Sequence, residues 1–247
     1  MEKIHGIITV RTFSSRLPKK CLLPFGNNIN VIQHIIRRCK ENSIEPILCT
    51  TIDERDDILQ VIAEKEKTKF FRGSVVNKLK RWNDCANKFN LTDFHTIDAD
   101  DPFFEAEEIY LSMKTLRNEN FDIVYPTLSS SNGGASVGYS MKLKTVKNAL
   151  RGLQDDTDTE MMWYHIEKIK NINSCTLHEI RDKVQKLRLT LDYSEDYHLL
   201  LFIQQILGNN AKRIEIEKLF YDNPDLYKIN WFRNNEWKKS QESKKLN

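Results

Sequence analysis

Over the first half of this chain, short apolar runs alternate with longer segments whose apolar residues recur at helical spacing, and nothing else in the sequence limits the possible folds so strongly. The runs at 6–10, 46–50, 69–71, 94–97 and 122–125 read as strands, and 29–41, 55–65, 75–88 and 105–117 read as the helices between them. A strand, a crossover helix and a second strand run parallel, with the helix covering one face of the sheet. The pattern therefore predicts an α/β fold: a Rossmann-like, open, mostly parallel sheet sandwiched by helices.

Past Pro126 the rhythm changes. Residues 129–134 are turn-rich and precede an alternating run at 135–141, which reads as a projecting hairpin or arm. Helices are expected at 144–150 and 160–170, and strands at 175–178 and 187–191. The stretch 192–196 then turns into an apolar helix over 197–207, with Ser194 as its N-cap. One or two short helices follow Gly208. The expected organisation is one domain over 1–237, with a subsidiary arm or lobe at about 126–178 and a flexible charged tail at 238–247.

Composition narrows the function classes. In 247 residues, 38 basic and 35 acidic side chains leave a net charge of only +3, which is no footprint for a nucleic-acid partner. No leader or membrane span is evident, so a cytoplasmic location is expected. Cys21, Cys39, Cys49, Cys85 and Cys175 lack the spacing of a zinc site or disulfide framework and read as reduced thiols.

The segment from Val10 to Leu22 leaves the first strand at the carboxyl edge, where open α/β sheets bind ligands. Arg11, Arg16 and Lys20 are spaced through it, and Ser14 and Ser15 add donors. Arginine forks, a compact ammonium and exposed backbone N–H groups together suit a polyphosphate. The dinucleotide fingerprint and the Walker pattern are both missing, which argues against hydride transfer and a P-loop kinase. On charge alone, a solvated basic loop remains the alternative.

Two acidic clusters stand at later strand ends. Asp98, Asp100 and Asp101 precede Pro102, and Asp192, Glu195 and Asp196 surround Ser194. Closely packed carboxylates call for a compensating cation, and magnesium takes few protein ligands while bridging to phosphate oxygens. The plainer alternative is an acidic turn capping the helix near Glu105, with Glu195 and Asp196 favouring the dipole of the later one.

The order of residues goes further. Arg11-x-x-Ser14-Ser15-Arg16-Leu17-Pro18-x-Lys20-x-Leu22 resembles the opening motif of the cytidylyltransferases that make CMP-activated acid sugars, including the Kdo and sialic acid synthetases. It is closer still to the spore-coat polysaccharide protein F group of that superfamily. Phe13 departs from the pattern, since many relatives carry glycine there. Thr51 with Asp53, Asp56 and Asp57 is similar to the second-strand segment of the family. Arg72-Gly73-Ser74 and Arg81 resemble the stretch that recognises the nucleotide, Ala99-Asp100-x-Pro102 resembles Gly-Asp-x-Pro, and Asp192-Tyr193-Ser194-Glu195-Asp196 resembles Asp-Thr-Pro-Glu-Asp.

The resemblance implies a nucleotide-diphospho-sugar transferase type of fold and transfer of CMP from CTP to an acidic 3-deoxy-2-keto sugar. It assigns nucleotide binding to Arg11, Ser14, Ser15, Arg16, Lys20, Thr51, Arg72, Gly73, Arg81, Asp98 and Asp100, metal binding (Mg2+) to Asp100 and Asp192, and catalysis to Arg16, Lys20, Asp100 and Asp192. It also implies a homodimer contacting through 132–139. A nucleotidyltransferase for another NTP or a phosphorylated acceptor, and a nucleotide-binding module without turnover, remain as alternatives. No histidine reads as a general base. Replacing Asp100 by alanine is expected to abolish pyrophosphate release while circular dichroism shows an unchanged fold; undiminished turnover would remove its metal role.

Overall fold

The computed structural model of the chain describes residues 3–26, 28–131, 137–179 and 186–243. In chain order the described elements are β1 (Ile4–Thr9), α1 (Val31–Glu41), β2 (Ile44–Thr51), α2 (Asp57–Lys65), β3 (Lys69–Gly73), α3 (Lys78–Lys88), β4 (Asp93–Asp98), α4 (Ala106–Asn118) and β5 (Ile123–Tyr125). There follow α5 (Leu128–Ser131), β6 (Ser140–Lys142), α6 (Leu143–Ala149), α7 (Trp163–Ile166), β7 (Ser174–Thr176), α8 (Ser194–Leu207), α9 (Arg213–Asp222) and α10 (Arg233–Ser243). The strands form one sheet in the order β3-β2-β1-β4-β6-β5-β7. β3, β2, β1 and β4 are mutually parallel, and only β6 runs against its neighbours.

The alternation of side chains along the strands gives each sheet face its own core. On β1, Ile4 and Ile8 pack with α1, α2, α4 and α8, whereas Ile7 faces Trp82 of α3 and Val146 of α6 on the other side. The central strands are thus covered on both faces, which is what a near-continuous apolar run in a parallel sheet requires, while the edge strands β3 and β7 are partly exposed. α1 starts cleanly because Asn30 accepts from the Gln33 backbone N–H while the Gln33 side chain accepts from that of Asn30.

The strand order reverses direction at β1: β2 and β3 lie to one side, and β4 and the later strands to the other. Crossover helices leave opposite faces at such a point and open a crevice at the carboxyl ends of the central pair. Register aligns Thr9 with Asp98 there. The basic loop after β1 and the acidic turn after β4 consequently leave the sheet side by side.

Four expectations differ. Part of the segment read as a projecting hairpin is β6, which pairs with both β4 and β5 inside the sheet; residues 132–136 of that reading, and with them most of the implied dimer contact, lie outside the described residues. Residues 187–191 are extended and buried but join no ladder; Leu191 N donates to Asp100 O at 2.7 Å instead. The charged segment expected to fray from Lys238 continues α10 to Ser243. At the other end of α8 the N-cap is Tyr193 rather than Ser194, because Asp196 turns back to accept its backbone N–H.

Gly138 lets β6 reach β4. Its φ is +81°, and a Cβ there would sit 1.9 Å from Thr96 O. No L side chain fits without moving that backbone. Gly138→Ala should cost on the order of 3 kcal/mol, read as a lower urea midpoint with an unchanged m-value.

Candidate active site

The loop after β1 is shaped from below by one carboxylate. Asp56 sits at the start of α2 and accepts from Thr12 N (2.7 Å), Thr12 Oγ1 (2.8 Å), Thr50 Oγ1 (2.9 Å) and Thr51 Oγ1 (2.6 Å). Burial works against its charge, but these donors outweigh it and hold its pKa below the ordinary value. Higher in the loop, Lys19 takes the left-handed conformation and its N–H closes onto Thr12 O at 3.1 Å. The loop is thus a hydrogen-bonded hoop with Arg11, Ser14, Ser15, Arg16 and Lys20 on its inner side, all lining one cleft of about 220 Å³.

The acidic turn after β4 rests on α1. His34 Nε2 lies 2.9 Å from Pro102 O, and burial lowers this imidazole to about 4, so it is neutral and donates to the carbonyl. Arg38, itself buried, donates to Phe104 O at 3.0 Å and to Ala211 O at 2.9 Å. With the turn fixed, Asp98, Asp100 and Asp101 each present a carboxylate oxygen, all within 4.8 Å of one another. Asp98 and Asp100 line the cleft. Asp101 is buried, and its Oδ1 has no hydrogen-bond partner among the described residues. Desolvation, then the charges of Asp100, Asp98 and Asp192, push its pKa well above the usual carboxylate range.

Asp192 arrives from the opposite side, carried by the Leu191 N to Asp100 O bond. Its Oδ1 accepts from Arg16 NH2 at 2.6 Å and from Lys20 Nζ at 2.9 Å. The same Lys20 ammonium is 2.9 Å from Asp100 Oδ2 and 2.8 Å from Leu191 O. Burial opposes both charges, yet their mutual attraction wins: the pKa of Lys20 lies above its ordinary value and that of Asp192 below. Side chains spaced through the whole length of the sequence therefore meet around one point.

Behind Asp192 stands Arg188, with no exposed surface. Its guanidinium bonds Asp196 through two nitrogens, at 2.8 and 2.9 Å, and Asn234 Oδ1 at 3.0 Å. Asp196 also accepts from the backbone N–H groups of Asp192 and Tyr193 and from Asn230 Nδ2. Its role is thus to fix the backbone that carries Asp192, more than to answer a helix dipole. A buried arginine and aspartate are tolerable only with such complete hydrogen bonding.

Not every expected residue reaches the cleft. Thr51, Arg72, Gly73 and Asp192 lie outside its lining, Asp192 being joined to it through Arg16 and Lys20. The Thr51 hydroxyl is committed to Asp56, and Arg72 donates to the carbonyls of Thr51 and Asp53, both at 2.9 Å. Gly73 pairs with Thr51 in the sheet. Arg81 does line the cleft, donating to Ser74 O at 2.6 Å.

Lys78, Glu160 and Ser240 also line it; sequence reasoning passed over Lys78 and Ser240, and read the acidic stretch ending at Glu160 as a helix N-terminus more than a cover for the acceptor. Lys78 is 3.5 Å from Asp98 and lies over the Trp82 ring. Its position three residues before Arg81, on the same helical face, was the available signal. Glu160 approaches Arg11 at 3.8 Å, and Ser240 Oγ is 3.3 Å from Arg16 NH1. Only tertiary packing brings the latter two there.

An oxygen-only acidic set beside convergent cations, at the switch point of an α/β sheet, defines a nucleotidyltransferase. The chain belongs to the cytidylyltransferase family, whose pattern matches residues 5–212. It is 24% identical over 234 residues to the spore coat polysaccharide biosynthesis protein SpsF of Bacillus subtilis, covering 91% of this chain and 97% of that protein. Its fold is similar to that of a cytidylyltransferase from Leptospira borgpetersenii, with a TM-score of 0.78 and 21% identity over 92% of this chain and 97% of that one. It is also similar to CMP:2-keto-3-deoxy-manno-octonic acid synthetase complexed with CTP, with a TM-score of 0.62 and 13% identity over 83% and 99% of the two chains.

Asp56→Ala takes the acceptor from Thr12 N, Thr50 Oγ1 and Thr51 Oγ1, while Thr12 Oγ1 keeps Arg55 O, and should cost on the order of 3 kcal/mol. Because the folded-state pKa of Asp56 is depressed, its contribution is complete above the ordinary carboxylate range and is lost as pH falls through the depressed value. Urea denaturation from neutral to acid pH should show the gap between wild type and variant narrowing on the acid side.

Proposed function

We propose that this enzyme transfers CMP from CTP to an acidic 3-deoxy-2-keto sugar, releasing pyrophosphate, in the synthesis of a surface polysaccharide or glycoconjugate. The observation that carries the reading is the Lys20 ammonium held 2.9 Å from both Asp100 and Asp192, in the same crevice as Arg11 and Arg16. Phosphate cations and metal-type carboxylates share one site, as transfer at the α-phosphorus demands. The SpsF likeness supports a polysaccharide setting.

The donor set also fits a divalent cation. The carboxylates of Asp98, Asp100 and Asp101 offer oxygens only, and the Asp101 Oδ1 is buried without a partner, which suits a hard ion such as Mg2+. Asp100 and Asp192 would hold the ion, which would supply charge neutralisation at the phosphates. Arg11, Arg16, Lys20, Ser14 and Ser15 grip the β- and γ-phosphates and take up the charge of the departing pyrophosphate. The acceptor oxygen bonds to the α-phosphorus and loses its proton as the bond to the bridging oxygen breaks. No histidine lines the cleft, so positioning and charge carry the step more than a dedicated imidazole base. Glu160 and Lys78 stand at the remaining wall, where the acceptor or the base would lie.

The enzyme is proposed to act in the cytoplasm as a homodimer; the support is the family resemblance of 132–139. No described helix is long and apolar enough to cross a membrane. A second reading, with another NTP as donor, draws on the base end of the site, since Thr51, Arg72 and Gly73 stand outside the cleft.

The test pairs each of the four NTPs with a panel of 3-deoxy-2-keto acid sugars, following released pyrophosphate and weighing the product by mass spectrometry. Release with CTP and an acidic sugar, giving a CMP-sugar mass, is the expected result. Release with a different NTP would replace the donor, and CTP binding without release from any acceptor would leave only a binding module.

A further inference from the structure

Arg16 and Lys20, two of the three loop cations that the proposed reaction places on phosphate, are found on Asp100 and Asp192. Arg16 and Lys20 converge on the single oxygen Asp192 Oδ1, and Lys20 spans to Asp100 Oδ2. Lys20 Nζ also meets Leu191 O at 2.8 Å, so its three donors are all used. The ammonium sits where an ion bridging Asp100 and Asp192 would sit. Asp192 has almost no exposed surface, and Arg188 lies 3.8 Å from its other oxygen, so no second open approach exists on that side.

From this arrangement we infer that Lys20 is the resident counter-cation of the Asp100–Asp192 pair, that it and a divalent metal are alternative occupants, and that the phosphate chain of the nucleotide exchanges one for the other. This rests on the reading of Asp100 and Asp192 as metal carboxylates. Two carboxylates with Lys20 and Arg16 carry no net charge. Adding a dication while Lys20 and Arg16 remain would crowd three cations around one buried oxygen, and removing them without new partners would strand buried charge. A triphosphate removes the conflict, since its oxygens receive Arg16 and Lys20 as the metal takes their place. The site is therefore closed to free metal and open to metal with polyphosphate.

The exchange predicts reciprocal coupling between metal and nucleotide. Mn2+ serves as the probe, followed by loss of the free-ion electron paramagnetic resonance signal with no nucleotide present. Wild type should bind it weakly, and Lys20→Met should bind it at least about tenfold more tightly while losing affinity for CTP. Equal or weaker Mn2+ binding by Lys20→Met would overturn the inference. If that variant does not fold, crystals of the wild-type protein give a second measurement. Soaked with Mn2+ alone, they should show no anomalous peak between Asp100 and Asp192 and Lys20 unmoved; soaked with Mn2+ and CTP, they should show the peak and Lys20 on phosphate. A peak with Mn2+ alone would overturn it equally. The metal-only titration needs no reactive donor or acceptor, so its outcome is separate from whether CTP and an acidic sugar are the true substrates.

Discussion

Everything about the cleft follows from the cost of gathering carboxylates at one spot in a partly dry environment. Asp98, Asp100, Asp101 and Asp192 meet at the sheet edge, and each needs a positive neighbour or must give up its charge. Lys20 answers Asp100 and Asp192, Lys78 offsets only part of the burial that raises the pKa of Asp98, and Asp101, where burial and three carboxylates outweigh the more distant Lys20, is pushed toward the neutral acid. The cations come from the loop after β1 and from α3, so the electrostatic requirement of the turn after β4 dictates the shape of both. The strand order makes this possible by letting β1 and β4 end side by side.

Rigidity is supplied from outside the cleft. Asp56 holds the phosphate loop through four backbone and side-chain donors of three threonines, His34 and Arg38 hold the acidic turn, and Arg188 with Asp196 holds the segment of Asp192. In each case a buried, hydrogen-bonded polar group does what a flexible loop cannot: it keeps charged side chains at fixed separations before any ligand arrives. The reacting groups are therefore carried on loops whose bases behave like parts of the sheet.

Much of this was legible in the sequence because periodicity is local. The five strands and four long helices of the first half could be placed from apolar spacing, and Arg11, Arg16, Lys20, Asp100 and Asp192 could be picked out by residue type and position at strand ends. What failed depends on distant partners. Residues 187–191 have a strand-like pattern but meet only Asp100 and side chains, so no ladder forms. β6 is three residues long and is defined by its neighbours β4 and β5. Arg72 resembles a nucleotide ligand in one dimension and is a brace for two backbone carbonyls in three. Ser240 and Arg188 matter only through packing that no short window contains.

The dependence of Arg188 on Asn234, and of Asp196 on Asn230, has a bearing on the order of events during synthesis. A nascent chain that has emerged only through Gly208 already possesses every strand of the sheet, yet it lacks the two asparagines that complete the hydrogen bonding behind Asp192. Such a chain also lacks Ala211, Ile216 and Phe220 of the main core, so the C-terminal helices finish the packing and the bracing of Asp192 together, and a truncation that removes them takes away both.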